Sequence, residues 1–579
     1  MIGFACNKNY LNVPSLGSLS GNDLSNYKGV QTLLIATYSL LDGIGSQINI
    51  GGASASNHYY GSICGSEAYK GSFFTDVSDL TSLELFTTSS SNSLLDSKWQ
   101  AVYEGVQDAN TVLRIMKSAT DITVAQSNEI RAETLFLRAW YHFEAKKMWN
   151  RIPFVDETVT FEAGNYHVAN DTSWSHIEND LDSALKYLPQ IQDNIGRVNY
   201  FAAEAVLAKV YLYERKYKLA QPLLLDLITS GKTSSGKPYA LNDNYGDNFN
   251  PATKNSEESV FATQSSVNDG QGGQNANIGD VYDFPAGNNA PGGGCCGFFQ
   301  PSQYLVNHFK TDSVTGLPDL DNFNSEDVTS DDGIPSTDPF TPYTGTLDPR
   351  LDWTVGRRGI PFLDWGIEPG QDWVPRDPVD FGPYVAKKHV YYQSQQGVLT
   401  DNSFWTPAAT ANNVNLIRFA DILLWAAEVE IKLPDGDLEK AKGYINQVRI
   451  RAMNPGSWVH TYIDNNDPAQ GFTNIPAANY KIGIYNSPWT DRTFALKALQ
   501  YERMLELGLE GHRFFDLARW GIAKESIETY WQHEKVKRTY LGQGRFTENK
   551  NEYFPIPQKQ IDLSAGSDGI PKMIQNPGY

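Results

Sequence analysis

The sequence has 579 residues, of which 40% are hydrophobic and 20% charged, as in a globular protein with a large core. Asp and Glu number 67 against 47 Lys and Arg, which gives a formal net charge of -20 at pH 7. Such an acidic chain repels nucleic acid and anionic membrane surfaces, and it contains no run of about 18 apolar residues that could span a bilayer.

The first 26 residues are predicted to form a lipid-anchor region and a tether. Cys6 follows Ala5 and precedes Asn7 and Lys8, which resembles the end of a bacterial lipoprotein signal, whose cysteine receives lipid. Only five residues precede Cys6, so the charged and apolar regions of such a signal are not in the sequence. The alternative is an isolated buried cysteine near the N-terminus.

Paired helices are predicted on both sides of a long irregular segment. Asn199 is a candidate N-cap, and Thr123 begins a Thr-Val-Ala-Gln capping box. Ala208 and Tyr211 have the spacing that tetratricopeptide repeats give to small and aromatic residues. The expected pairs are 27–41 with 97–118, 123–143 with 174–188, the two halves of 199–230, and the two halves of 418–452, which are separated by Pro434–Asp437. The predicted fold is mainly α, a tetratricopeptide-like scaffold of helical pairs with a large loop-rich insertion.

The domain prediction follows from this pattern. A helical scaffold covers 27–230, with a polar insertion near 42–96, and further helical pairs cover 414–579. Between them, residues 231–413 are rich in Gly, Pro, Asn and Asp but carry many aromatic side chains, which argues against disorder. We predict that this insertion is the binding face, since binding sites concentrate on loops that a rigid body supports.

Several enzyme chemistries lack their motifs. Residues 231–237 resemble part of a phosphate-binding loop, but Pro238 stands where Ser or Thr must bind magnesium. No HExxH zinc motif or GxSxG nucleophile elbow occurs. Asp319 and Asp321 begin an acidic stretch that could bind calcium, although a solvated loop is the favoured interpretation because EF-hand spacing is missing. We predict no cofactor.

Residues 501–521 form a charged segment of two helical parts that meet at Gly511. Glu502 and Glu506 lie four residues apart, Arg503 is three residues before Glu506, and Asp516 is three residues from both Arg513 and Arg519. The segment could be a catalytic cluster, but we favour an ion-pair network that clamps two helices.

This segment also carries a family resemblance. Residues 502–521, read ER..EL..EGHR..DLARWG, closely resemble the hallmark of the SusD/RagB family of Bacteroidetes outer-membrane lipoproteins. Further matching segments lie along nearly the whole chain, at 137–143, 203–212, 417–424, 446–449, 553–557 and 575–578.

The resemblance implies a non-catalytic protein that captures oligosaccharide or polysaccharide. It implies lipid attachment at Cys6, a position on the extracellular face of the outer membrane, and delivery of the glycan to a SusC-like TonB-dependent transporter. The aromatic insertion agrees with this, because planar rings stack on the C–H faces of sugars while short polar side chains bind hydroxyls.

The candidate glycan-binding residues come from the polar insertion near 42–96 and from the loop-rich insertion 231–413. For each aromatic taken singly, packing beneath a loop is the competing interpretation. The candidates are Asp42, Asn57, Tyr60, Glu67, Cys295, Cys296, Trp353, Arg357, Arg358, Trp365, Tyr391 and Tyr392.

Cys295 and Cys296 are adjacent and flanked by glycines. A bond between them would close an eight-membered ring and give a flat, rigid platform beneath a sugar. The alternative is two free thiols in a mobile loop.

Two other functions remain open from the residues alone. A tetratricopeptide adaptor would bind proteins along a concave helix face, and a glycoside hydrolase would use two of the many carboxylates. The sequence does not name the glycan.

Overall fold

A computed structural model describes residues 21–46 and 49–579 of the chain; Cys6, the predicted lipid attachment point, lies outside these residues. The helices carry most of the architecture. They are α1 Gly21–Leu24, α2 Tyr27–Ser39, α3 Ile50–Ala53, α4 Ser78–Glu84, α5 Ser93–Met116, α6 Val124–Trp149, α7 Ser175–Leu185, α8 Tyr200–Tyr213, α9 Tyr217–Ser230, α10 Gln303–His308, α11 Leu351–Thr354, α12 Pro378–Phe381, α13 Phe419–Lys432, α14 Leu438–Ala452, α15 Arg492–Leu507, α16 Arg513–Trp520, α17 Ala523–Glu534 and α18 Gln558–Leu563.

The four predicted helical pairs are confirmed: α2 packs on α5, α6 on α7, α8 on α9, and α13 on α14. The caps explain where helices begin. The side chain of Asn199 accepts the backbone N–H of Ala202 at 2.9 Å. Thr123 and Gln126 form the predicted capping box before α6. Contacts between α9 and α13 join the N-terminal pairs to the C-terminal pairs. The mainly helical, tetratricopeptide-like fold is therefore confirmed.

Short antiparallel strand pairs lie in the irregular segments between the helices. The strands are β1 Ala68–Gly71, β2 Ser259–Ala262, β3 Phe298–Pro301, β4 Val355–Gly356, β5 Val385–Ala386, β6 Asn415–Arg418, β7 His460–Tyr462 and β8 Phe472–Pro476. They pair as β1–β3, β2–β6, β4–β5 and β7–β8. The β1–β3 pair ties the middle of the chain to the 42–96 region. The domain boundaries themselves stay a prediction.

Among the described residues, two hydrophobic clusters form the interior. The larger one lies among the helices. A smaller one lies beneath the loops of 231–413 and includes Phe284, Phe362, Trp373 and Tyr391. The insertion therefore has a core of its own, which holds its surface loops in place. Within the described ranges, no helix has both the length and the apolar character needed to cross a bilayer.

A buried network of charges connects α13, α14 and α15 with the segment around α11. Glu506 is fully buried and accepts hydrogen bonds from Arg350 at 2.9 Å, Arg418 at 2.6 Å and Arg451. In the part of the chain that the structure describes, the network contains five cationic and five anionic side chains, whose charges balance. Its members are Arg350, Lys388, Arg418, Arg449 and Arg451 with Glu258, Asp348, Glu502, Glu506 and Glu510.

The predicted clamp is present, but most of its partners differ from those that helical spacing suggests. Arg503 and Arg519 do bind Asp516, at 2.7 and 2.8 Å. Glu502 and Glu506 instead bind arginines from distant segments. Three or four residues of separation brings side chains near each other on a helix, but tertiary packing decides which pair forms.

Candidate functional site

Three of the predicted ligand contacts belong to the interior of the scaffold. Asn57, Tyr60 and Glu67 are 7%, 1% and 1% exposed. Asn57 donates to Glu144 at 3.0 Å, and the Tyr60 hydroxyl reaches the backbone carbonyl of Leu94 at 2.8 Å. These side chains satisfy buried polar groups where helices meet, so they do not reach a ligand.

Glu67 also shows how strongly this interior disfavours charge. Burial raises its pKa to about 7, although Ser62, Arg513, the backbone N–H of Leu509 and Lys388 act in the opposite direction. The carboxyl group accepts the Leu509 N–H at 3.1 Å. Glu67 therefore joins the 42–96 region to the loop before α16.

The two predicted arginines are also structural. Arg357 forms two hydrogen bonds to Asp352, at 2.6 and 2.9 Å. Arg358 donates to the backbone carbonyls of Pro335, Ser336 and Asp338. With every described contact directed inward, these guanidinium groups hold loops together and are not available to a sugar.

Tyr391 is fully buried in the smaller hydrophobic cluster, which corrects its assignment as a stacking ring. Trp365 is half-buried, and its indole N–H donates to the Tyr391 carbonyl at 2.8 Å. The two rings meet edge to face with centroids 5.7 Å apart. Trp365 therefore covers this cluster and keeps only part of its surface exposed.

Trp353 and Tyr392 do come together, in a pocket of about 270 Å³. Both side chains are half-buried. The indole N–H of Trp353 donates to the Ser457 carbonyl at 2.7 Å, which fixes the plane of the ring. A Cβ atom on Gly246 would lie 2.5 Å from this ring, so glycine at that position lets the chain pass against it. The pocket walls are therefore held rigidly.

The other walls come from the segment after α14. Trp458 donates its indole N–H to the Ala452 carbonyl at 2.9 Å, and Phe472 stacks on Tyr462 with centroids 5.2 Å apart. The complete lining is Asn244, Asp247, Trp353, Leu363, Lys387, Tyr392, Gly456, Trp458, Val459, His460 and Phe472. Four aromatic rings thus share a concave surface with amide, carboxylate and imidazole groups.

The electrostatics of this pocket are mild. Lys387 is buried and donates to the carbonyls of Asp352 at 2.6 Å and Pro361 at 3.0 Å. Burial lowers its pKa to about 7 and outweighs the attraction of Asp352. Burial also raises the pKa of Tyr392 to about 12, helped by Asp247, so its hydroxyl remains protonated at neutral pH. The pocket therefore suits a ligand that is neutral and rich in hydroxyls.

A second surface surrounds the two adjacent cysteines, which are joined by a disulfide bond. Cys296 is 8% exposed and Cys295 is half-buried. The preceding glycine loop is held by Thr406, whose hydroxyl donates to the Gly292 carbonyl at 2.7 Å. The neighbouring Trp405 is 61% exposed. This arrangement keeps the platform interpretation open, and glycan contact there stays a prediction.

On its other side, the cysteine loop approaches Arg376. A Cβ atom on Gly297 would lie 3.8 Å from the Cδ of Arg376. The guanidinium group of Arg376 lies 5.5 Å from the ring centre of Phe73, which is 47% exposed. Phe73 and Arg376 are thus candidate contacts that the sequence analysis did not select.

The remaining predicted residues lie elsewhere. Asp42 lines a different cavity, of about 380 Å³, with Tyr38, Arg197 and Gln264, and burial raises its pKa to about 7. Asp319 and Asp321 are exposed, and Asp321 pairs with Lys497. Neither aspartate belongs to a group of potential metal ligands in the described part of the chain, so calcium binding there has no support from the structure.

Sequence reasoning missed half of the aromatic pocket. Trp458, His460 and Phe472 follow a predicted helical pair and were counted with the scaffold. Asn244 and Asp247 lie within 231–413, but small polar residues are too common there to be selected. The proline and glycine after α14, at 455 and 456, were the available signal that the helical pattern stops before Trp458.

Comparison with known proteins identifies the family. A family model described as "SusD family" matches residues 257–579, and a second, described as "Starch-binding associating with outer membrane", matches residues 23–212. The chain belongs to the SusD family. This confirms the resemblance that the 502–521 motif indicated.

SusD-family relatives cover most of the chain. The SusD-like protein P25 of Formosa agariphila is 26% identical over 482 residues, which are 80% of this chain and 76% of that protein. A SusD superfamily protein from Bacteroides vulgatus has a TM-score of 0.66 at 22% identity and covers 95% of this chain and 99% of its own. Surface glycan-binding protein A from Bacteroides thetaiotaomicron, in complex with laminarihexaose, has a TM-score of 0.62 at 19% identity. The match covers 95% of this chain and 99% of that protein's chain.

Proposed function

We propose that this protein binds an oligosaccharide or polysaccharide in the pocket formed by Trp353, Tyr392, Trp458 and Phe472. The observation that carries the proposal is the combination in one concave site of four aromatic rings with Asn244, Asp247 and His460. A sugar ring presents an apolar C–H face to an aromatic plane and hydroxyls to polar groups around its edge. The pocket offers both kinds of partner.

The positions of the rings favour binding without large rearrangement. Trp353 and Trp458 are each fixed by a hydrogen bond from the indole N–H to a backbone carbonyl. Tyr462, which stacks beneath Phe472, is itself anchored by its hydroxyl to the Leu363 carbonyl at 2.7 Å. Rigid aromatic contacts lose little conformational entropy on binding, which supports affinity for a flexible glycan.

The pocket favours capture over hydrolysis. Glycosidases use two carboxyl groups on either side of the scissile bond. Asp247 is the one carboxylate among the described residues that line this pocket. The hydrolase alternative therefore lacks its acid–base pair at this site, and we propose a non-catalytic role.

Beyond binding, we propose that the protein works on the extracellular face of the outer membrane, anchored by lipid at Cys6. It would pass its glycan to a SusC-like TonB-dependent transporter. A family model described as associating with the outer membrane supports the location, and a structural neighbour named a laminarin-binding SusD-like protein supports the glycan-binding role. A protein-binding adaptor role is the alternative, and it predicts no affinity for glycans.

The test begins with affinity gels or a glycan array that contain laminarin, starch and fructan. We expect retention by at least one glycan and no release of reducing sugar. Tyr392→Ala and Trp458→Ala should each weaken retention about tenfold or more, which is the loss of about 1.4 kcal/mol of binding free energy. Tyr187→Ala, at an exposed site on the helical scaffold that is 53% exposed, is the matched control.

The possible outcomes separate a failure of the proposed function from a failure of the proposed binding site. A wild-type protein that ignores every glycan, or that cleaves one, refutes the proposed function. Retention that survives both pocket substitutions refutes the pocket and leaves the disulfide surface as the alternative site. Circular dichroism spectra of the variants confirm that each one is folded.

A further inference from the structure

Three buried side chains from distant parts of the chain form a cluster that glycan binding does not use. His58 lies at the start of a π-helix, His58–Ile63, in the N-terminal scaffold. Asp280 and Asp283 lie in the insertion, ahead of the disulfide loop. One potential ligand atom from each of the three lies within 4.8 Å of the others, and all three residues are at most 3% exposed.

The hydrogen bonds around His58 determine which of its nitrogens is free. Nδ1 lies 2.6 Å from the Ser56 hydroxyl. That hydroxyl donates its hydrogen to Asp280 at 2.7 Å, so it accepts a hydrogen bond from the Nδ1–H of His58. In this chain of donors the ring carries its proton on Nδ1, and Nε2 is left with a lone pair.

Nε2 of His58 and Oδ1 of Asp283 are both buried, and neither has a hydrogen-bond partner among residues 21–46 and 49–579. They face each other at 3.4 Å. Two lone pairs that meet without a cation between them repel, and each group would carry the cost of an unsatisfied buried polar atom. A positive species between these atoms would satisfy both of them.

The separation suits a metal ion better than a proton. A charge-assisted hydrogen bond between nitrogen and a carboxylate is shorter, about 2.7–2.9 Å. A tetrahedral zinc ion with bonds of about 2.1 Å holds its ligands about 3.4 Å apart. The distance between Nε2 and Oδ1 equals this tetrahedral edge.

The surroundings also resemble the support that metal ligands need. Ser54 and Ser56 donate to Oδ1 of Asp280, and Asn277 donates to Oδ2 at 2.8 Å. Nδ1 of His389 lies 3.0 Å from the second oxygen of Asp283. Such partners orient the ligands of a metal ion. A cavity of about 40 Å³, lined in part by Ser56, Asp280 and His389, adjoins the cluster and is large enough for a water molecule.

We propose that His58, Asp280 and Asp283 bind one zinc ion, which fastens the insertion to the helical scaffold. The imidazole nitrogen and two carboxylate oxygens are ligands that zinc accepts. Because the ligands come from both regions, the ion crosslinks the body of the protein to the segment that leads into Cys295 and Cys296. Its role is structural, and it does not depend on which glycan is bound.

The test measures metal directly on the untagged, folded protein. Mass spectrometry of the metal content should find about one zinc ion per chain, and prolonged dialysis against a chelator should remove the ion and lower the melting temperature. Zinc added back should restore the melting temperature. Cobalt added to the stripped protein should give the intense visible absorption bands of a four-coordinate site.

Asp283→Asn and His58→Gln should abolish zinc uptake. The matched control is His533→Gln, which removes another histidine–aspartate contact, between His533 and Asp327 at 2.9 Å, and should leave uptake unchanged. Stripped wild-type protein that gains neither metal nor melting temperature from zinc overturns the proposal and leaves a doubly protonated His58 as the bridging cation. Unchanged uptake by Asp283→Asn overturns it too. If a variant fails to fold, the cobalt spectrum of the wild-type protein decides.

Discussion

The neutral charge network around Glu506 gives the sharpest test of what stabilises the helical body. Glu506→Gln removes one negative charge from a buried set of five cations and five anions, while the size of the side chain barely changes. Burial by itself raises the pKa of Glu506, but Arg451, Arg418 and Arg350 together hold it well below the usual range. The carboxylate is therefore ionised in the folded protein, and the substitution leaves one uncompensated positive charge.

The expected cost is large because the site is fully buried. Glu506 is 0% exposed and accepts hydrogen bonds from three arginines. Removing one partner from a buried ion pair typically costs about 3–5 kcal/mol. We expect Glu506→Gln to lower the free energy of unfolding by about 4 kcal/mol, within that range. Urea unfolding followed by tryptophan fluorescence measures it.

A second substitution separates charge balance from shape. Arg451 binds Glu506 and also Glu258, at 3.1 Å, so adding Arg451→Met to Glu506→Gln restores equal numbers of charges. The double variant should be about 2 kcal/mol more stable than the sum of the single effects predicts. The exposed Glu528→Gln should change stability by less than about 0.5 kcal/mol. Additive effects, or a cost below about 1 kcal/mol for Glu506→Gln, would refute the charge-balance argument.

Two further predictions concern protonation and the disulfide. Burial raises the pKa of Glu67 from 4.5 to about 7, so between these pH values the folded protein retains a proton that the unfolded chain loses. The protonated carboxyl group therefore stabilises the folded state by about 3 kcal/mol. This contribution is complete below pH 4.5 and is lost as the pH rises through 7. Glu67→Gln does not titrate and so does not lose this stability at high pH. The melting temperature of Glu67→Gln minus that of the wild type should therefore be larger at pH 8 than at pH 5. An equal difference at both pH values would contradict the argument. Unreduced protein should yield a peptide containing Cys295 and Cys296 that is about two daltons lighter than its reduced form. If the disulfide forms a platform for a sugar, the double variant Cys295→Ser, Cys296→Ser should retain glycan more weakly. Free thiols at those positions would exclude the platform.

Much of the helical body could be predicted from the sequence because its signals are local. Asn199 and Thr123 each cap a helix through a residue three positions away, and the small and aromatic residues of α8 and α9 recur at helical spacing. Such patterns depend on a few neighbouring residues and survive without knowledge of the fold. The 502–521 motif added the family, which the comparison confirmed.

The candidate site could be predicted only in part. Aromatic residues in 231–413 indicated a binding face, and Trp353 and Tyr392 do share a pocket. The same reasoning selected Tyr60 and Tyr391, which are 1% and 0% exposed. An aromatic ring suits a hydrophobic core as well as it suits a sugar, so residue type does not distinguish the two uses.

The sequence by itself determined the helical pairs, their caps, the acidic charge and the family. Only the tertiary structure decided that Trp458 joins Trp353 in one pocket, that Arg350 binds Glu506, and that His58 faces Asp283. The physical reason is distance along the chain. These contacts join segments far apart in sequence, and the packing of the whole fold sets which side chains meet, which are buried, and which remain exposed to a ligand.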